Sequence, residues 1–202
     1  VGHLRPQIGD QADALSQLWR SKQLEYTWLR ALMGRHADFW QVTGEALDYA
    51  LERMAIEPGP LRAPLMAAYR GLHAYPEVPE VLGRLRAAGL KLAILSNGEP
   101  EMLGAAVAAA GIGDLLDAVL SVEEIGIFKP HPTVYRLAVD RLAVRADQIA
   151  FQSSNAWDVS GAACFGLRPV WINRFGMTAE RLPGRAEHEL RDLAGLPPLL
   201  GA

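Results

Sequence analysis

Apolar residues in the first third of the chain recur at helical intervals. Leu15, Leu18 and Trp19 are followed by Tyr26, Leu29 and Met33, close to the ~3.6-residue period of a helix face. Ala46, Leu47, Ala50, Leu51 and Met54 share one face of a second helix, with Thr43 as its expected N-cap. Pro58, Gly59 and Pro60 break the pattern, and Leu65, Met66, Tyr69 and Leu72 predict a third helix. Up to about Ala74 the chain therefore predicts helices alone.

The pattern changes at Tyr75-Pro76 and Pro79. Val81, Leu82 and Leu85 predict a helix stopped by Gly89, a residue suited to the position after a helix C-cap. Leu90–Ser96 is a short, nearly unbroken apolar strand, as expected where both sheet faces are covered. A helix follows from Pro100 to Gly111, then a strand at Ala118–Val122 and a helix opened by Pro132. Ile149–Ser153 and Val170–Asn173 are two further strands, separated by a short helix after Asp158. Strands alternating with helices imply an α/β fold with a parallel sheet. The expected organisation is a helical unit over residues 1–74 and a Rossmann-like core over residues 75–202. The stretch from Pro183 is polar, then rich in Pro and Leu, and is expected to be a surface segment.

Composition narrows the function classes. The 202 residues carry a net charge of −3, which gives no basic footprint for nucleic acid. The longest apolar run falls far short of the ~20 residues that span a bilayer. No basic-then-apolar leader is visible, so a secretory signal is not expected. The single cysteine, Cys164, leaves no internal disulfide and points to a reducing cytoplasm. His3, His36, His73, His131 and His188 show no metal-ligand spacing, and His131 reads as a turn residue before Pro132.

In open α/β sheets, ligands bind beyond the carboxyl ends of the strands. Here those ends carry Ser96-Asn97-Gly98 and Ser153-Ser154-Asn155-Ala156-Trp157-Asp158, and the loop after the second strand carries Lys129-Pro130. Taken singly, each is also ordinary turn punctuation. Together they would bring a lysine, a carboxylate and several hydroxyl and amide groups to one polar pocket.

Four stretches resemble the L-2-haloacid dehalogenases: Leu18–Trp28 (LWRSKQLEYTW), Leu92–Gly98 (LAILSNG), Ser121–Pro132 (SVEEIGIFKPHP) and Ser153–Asp158 (SSNAWD). The resemblance runs from about Leu15 to Arg174. It implies a core of the haloacid dehalogenase type under a helical cap. The implied reaction is hydrolysis of (S)-2-haloacids to (R)-2-hydroxyacids. An aspartate attacks C2, the halide leaves, and water hydrolyses the resulting ester.

The same resemblance implies roles. Arg20 reaches in from the cap, its planar and permanently charged fork suited to a halide or carboxylate. Ser96 and Asn97 face the substrate carboxylate. Lys129 keeps the nucleophile ionised, and Asp158 pairs with it and orients the hydrolytic water. Ser153, Asn155 and Tyr135 complete the hydrogen-bonding shell. Leu24, Phe39 and Trp157 wall the substrate side group, although such residues at helical spacing are also what a packed core contains. The resemblance implies no cofactor or metal, a small 2-haloacid as the only ligand, and a homodimer.

Two departures matter. Ser21 stands where relatives usually carry a glutamine. The family's nucleophile belongs to an Asp-x-x-Gly-Thr motif ending a strand upstream of the cap arginine. Before Arg20 the only acids are Asp10 and Asp13, and neither leads into Gly-Thr. The nucleophile strand is thus expected to be missing, leaving a gap between the strands ending at Ser96 and Ser153. The chain as written is expected neither to dehalogenate 2-chloropropionate nor to fold stably, whereas a version with that strand does both. A non-catalytic remnant is one alternative. The other is a Mg²⁺-dependent phosphatase of the same superfamily, which the Ser153-Ser154-Asn155 loop disfavours because it lacks an early carboxylate ligand.

Overall fold

The computed structural model describes residues 5–68 and 73–202. Within the first span all regular structure is helical: α1 (Arg5–Ile8), α2 (Ala12–Met33), α3 (Phe39–Arg53) and α4 (Arg62–Ala67). α2 ends at Gly34, whose left-handed backbone (φ 62°) lets its N–H bond back to the last turn. α3 starts earlier than the periodicity predicts. Its N-cap is Asp38, whose carboxylate accepts the Gln41 N–H at 2.7 Å. Thr43 lies inside the helix and is fully buried. Asp38 with Gln41 three residues on is a helix-start signal that hydrophobic periodicity passes over. The expected third helix is present as α4, while Tyr69 and Leu72 fall outside the described residues.

α2 and α3 meet through Leu15, Trp19, Ala46, Leu47, Ala50 and Leu51, and Leu61, Leu65 and Met66 close this core from the α4 side. The Trp19 indole donates to the Thr43 carbonyl at 2.9 Å within it. The N-terminal turn of α3 faces elsewhere: Phe39 and Val42 pack with Met102, Val122, Phe128 and Val134.

The second span alternates as predicted: α5 (Val78–Ala87), β1 (Ala93–Ser96), α6 (Pro100–Ala110), β2 (Ala118–Ser121), α7 (Pro132–Leu142), β3 (Ala150–Ser153), α8 (Ala156–Phe165) and β4 (Arg168–Ile172). His131 caps α7, its Nδ1 accepting the Thr133 N–H. Every strand pairing is parallel. β1 pairs with β2 from Ala93↔Ala118 to Ser96↔Ser121, and β3 pairs with β4 from Ala150↔Arg168 to Ser153↔Trp171. Among the described residues no ladder joins β1 to β3, so the strands form two separate sheets.

That break is the gap expected between the strands ending at Ser96 and Ser153, while the expectation that both sheet faces are covered along β1 needs correcting. β4 is buried along most of its length, but β1 and β3 are largely half-exposed, each with a ladder neighbour on one side only. β1 is also shorter than Leu90–Ser96. Leu92 instead bonds Asp117 twice, through the Asp117 carboxylate and the Asp117 N–H. A second correction concerns the tail. Residues 188–190 form β5 (His188–Leu190), which extends the sheet beyond β4, and Leu196–Leu200 form α9. Leu196 is buried with Val81, Leu85, Val170 and Ile172, so this segment belongs to the core. A three-residue strand with two polar residues carries too little pattern to be seen in advance.

Candidate active site

The carboxyl ends of β1, β2 and β3 converge, and short polar turns fix their geometry. After β1, the Ser96 hydroxyl accepts the Gly98 N–H at 3.0 Å, and the Gly98 carbonyl accepts the Ser121 hydroxyl from the end of β2 at 2.7 Å. After β3, the Ser153 hydroxyl accepts the Asn155 N–H at 3.1 Å as α8 begins. Asn97 reaches across to the loop after β2, where its side-chain oxygen accepts the Lys129 N–H at 3.0 Å. The Lys129–Pro130 peptide is cis.

Lys129 and Asp158 form the centre of the cluster. Lys129 Nζ lies 2.9 Å from Asp158 Oδ2, and the two side chains are only 7% and 5% exposed. Such a pair needs further partners to offset the loss of water. The Tyr135 hydroxyl donates to the other carboxylate oxygen at 2.8 Å, and the Phe151 ring lies 4.8 Å from the ammonium. Tyr135 is fully buried, and its hydroxyl also reaches the Asp158 carbonyl at 3.2 Å. Gly161 permits this arrangement: a Cβ there would fall 2.4 Å from the Tyr135 hydroxyl and 2.6 Å from Pro130. Burial, then the adjacent Asp158 charge and hydrogen bond, push the Tyr135 hydroxyl well above its ordinary range.

The helical part reaches this cluster at three points. Arg20 of α2 is exposed, yet its guanidinium donates to Asn155 Oδ1 at 3.3 Å and to Gln23 Oε1 at 2.7 Å. Trp28, two turns further along α2, meets Trp157 edge to face at 5.5 Å. His36, in the α2–α3 loop, bonds Glu123 at 2.9 Å and lies 4.7 Å from the Phe128 ring. Leu24 lies between Arg20 and Trp28 at helical spacing and is half-buried. Phe39 packs against Phe128 in the apolar cluster beside the loop that carries Lys129.

Hydrogen bonds thus link Arg20 to Asn155, Asn155 to Ser153, Lys129 to Asn97 and to Asp158, and Asp158 to Tyr135. The Ser96 side chain is engaged within its own turn. Sequence reasoning missed Gln23, Trp28, His36 and Glu123, and gave Thr43 a different role. Two cavities, about 400 Å³ between α3 and α4 and about 190 Å³ against α6, lie away from the cluster. Among the described residues no group of three or more His, Cys, Asp or Glu is placed to hold a metal ion.

The position of Tyr135 generates a test. A raised hydroxyl pKa means that its contribution to stability is present below the ordinary tyrosine value of about 10 and is lost as pH rises beyond it. Absorbance at 295 nm should show a tyrosine component that ionises only on alkaline unfolding, and Tyr135→Phe should remove it. Five tyrosines titrating together in the native protein would contradict the assignment.

Comparison with known proteins fits this geometry. The family model for haloacid dehalogenase-like hydrolases matches residues 6–166. The chain is 50% identical over 194 residues to (S)-2-haloacid dehalogenase 1 of Pseudomonas sp. (strain CBS-3), covering 96% of this chain and 86% of that protein. It superposes on the crystal structure of a dehalogenase with a TM-score of 0.94 at 46% identity, covering 98% and 88% of the two chains. It also superposes, with a TM-score of 0.91 at 38% identity, on the L-2-haloacid dehalogenase of Xanthobacter autotrophicus with chloropropionic acid covalently bound, covering 100% and 91%. With helices packed around parallel strands whose polar ends share one hydrogen-bonded cluster, the chain belongs to the haloacid dehalogenase-like hydrolases and, within them, to the (S)-2-haloacid dehalogenase family.

Proposed function

We propose that this protein hydrolyses (S)-2-haloacids to (R)-2-hydroxyacids, with residues 1–74 as the cap and residues 75–202 as the core. The observation that carries the reading is the buried Lys129–Asp158 pair, its lysine backbone held by Asn97, with Arg20 brought to Asn155 from α2. A carboxylate oxygen attacks C2 of the substrate and the halide leaves with the bonding pair. Water then attacks the ester carbonyl, which frees the 2-hydroxyacid, regenerates the carboxylate and releases one proton. Inversion at C2 follows from in-line displacement.

In this reading Arg20 offers N–H donors and a fixed positive charge to the leaving halide. Lys129 favours the ionised nucleophile, and Asp158, held by Tyr135, keeps the ammonium in place. Asp158 and Asn155 border the path of the hydrolytic water, Ser153 fixes the Asn155 backbone, and Ser96 and Asn97 meet the substrate carboxylate. Leu24, Phe39 and Trp157 wall the side group at C2. No aspartate of residues 1–202 leads into a Gly-Thr pair, so the nucleophile is assigned outside them, on a strand between β1 and β3 where no ladder now forms.

The test is chloride release from (S)-2-chloropropionate in EDTA, with lactate configuration read on a chiral column. The chain preceded by a strand ending in Asp-x-x-Gly-Thr should yield chloride and (R)-lactate, and the 202 residues alone should yield neither. Release by the 202 residues would overturn the placement of the nucleophile. No release by either would overturn the dehalogenase reading, and a requirement for Mg²⁺ would favour the phosphatase.

No helix among the described residues is long and apolar enough to cross a membrane, and a single cysteine fits a reducing cytoplasm. The protein is proposed to be a homodimer, supported by apolar side chains left exposed near the end of α2, Leu32 at 85% and Met33 at 62%. Sedimentation at micromolar concentration should return twice the 22.0 kDa chain mass, and a monomer would remove the proposal.

A further inference from the structure

Within the buried part of the α2–α3 interface one chain of polar side chains ends on Arg20. Gln23 is completely buried there. Its side-chain oxygen accepts from Arg20 Nη1 at 2.7 Å, and its amide nitrogen donates to the Thr43 hydroxyl at 2.7 Å. The Thr43 hydroxyl, itself fully buried, donates to the Phe39 carbonyl at 2.6 Å. The relay therefore joins a flexible exposed guanidinium to the backbone of a helix start already fixed by the Phe39–Phe128 cluster.

A buried amide costs desolvation that an apolar side chain of similar volume would avoid, and the surrounding Leu and Ala residues show that the interface accepts apolar packing. The identity of the group carries further information. A carboxylate at residue 23 would also accept from Arg20, but it would cancel the guanidinium charge. An amide directs the fork and leaves its full charge for an anion.

We propose that Gln23 is a positioning residue: it holds the Arg20 guanidinium toward Asn155 while leaving its charge uncompensated, with Thr43 as its anchor. The inference rests on Arg20 receiving the leaving halide, as in the function proposed above. Gln23 itself does not touch the reacting atoms.

The test compares Gln23→Met and Gln23→Glu with the parent in the dehalogenase-active protein, by crystal structure, melting temperature and steady-state halide release. Gln23→Met should turn Arg20 away from Asn155 and lower kcat by roughly 10- to 100-fold, the size of loss that a misplaced group brings. The melting temperature should barely move. Gln23→Glu should restore the Arg20 orientation but not kcat, because the carboxylate now takes the charge. Thr43→Val breaks the relay one bond further back and should give a weaker form of the Gln23→Met effect, which serves if Gln23→Met does not fold. Arg20 unmoved in the variants that break the relay, or moved with kcat within twofold of the parent, would overturn the proposal, as would full activity in Gln23→Glu. If the parent releases no halide, the functional reading fails separately, and the orientation of Arg20 in the crystal structures alone decides the positioning role.

Discussion

A lysine and an aspartate buried together beneath the strand ends tie the loop after β2 to the helix after β3. No hydrogen-bonded ladder connects β1 and β2 to β3, β4 and β5 among the described residues, and apolar clusters that bring Leu92 to Val170 and Ile172, and Leu95 and Phe151 to Tyr135, also join the two sheets. Lys129 comes from the loop after β2 and Asp158 from the first turn of the helix after β3. Burying two opposite charges is costly, and their mutual attraction offsets that cost only when the remaining valences are met. Here Tyr135 occupies the second carboxylate oxygen and Phe151 lies beside the ammonium. Gly161 leaves room for the tyrosine that completes the set.

The same pair places the chemistry. The Asn97 side chain holds the backbone of Lys129, which leaves the direction of the ammonium to Asp158. The helical part then approaches through contacts of different character. Arg20 meets Asn155 through an exposed hydrogen bond, Trp28 meets Trp157 through ring contact, and His36 meets Glu123 beside Phe128. An exposed hydrogen bond is a weak restraint on a long side chain. The precision of Arg20 therefore rests on what lies behind it in the α2–α3 interface, where Gln23 and Thr43 are shielded from water.

Much of this was legible in the sequence, for physical reasons. Strand ends in a parallel sheet gather polar residues, so locating short apolar strands was enough to find Asn97, Lys129, Ser153, Asn155 and Asp158. What periodicity could not supply was the direction of polar residues on helices. Gln23 and Thr43 look like solvated or capping positions in a one-dimensional pattern, yet both are fully buried because they pair with each other across two helices. Asp38 was passed over as the α3 cap because the apolar repeat becomes clear only later in that helix. The tail has the pattern of a surface segment because its strand is short and polar, although Leu196 completes the core beside β4. The half-exposure of β1 and β3 goes with the missing ladder between them, which the absent Asp-x-x-Gly-Thr strand foretells although the apolar run of β1 itself does not.

The most direct test of this account is a double-mutant cycle on the buried pair, with Lys129→Met, Asp158→Leu and both together, read by denaturant unfolding. Each single change leaves a buried charge without its partner and should cost about 3–5 kcal/mol, and the double change should recover most of that loss. Single changes that are mild and add to within about 0.5 kcal/mol in the double variant would show that the pair does not couple the loop after β2 to α8.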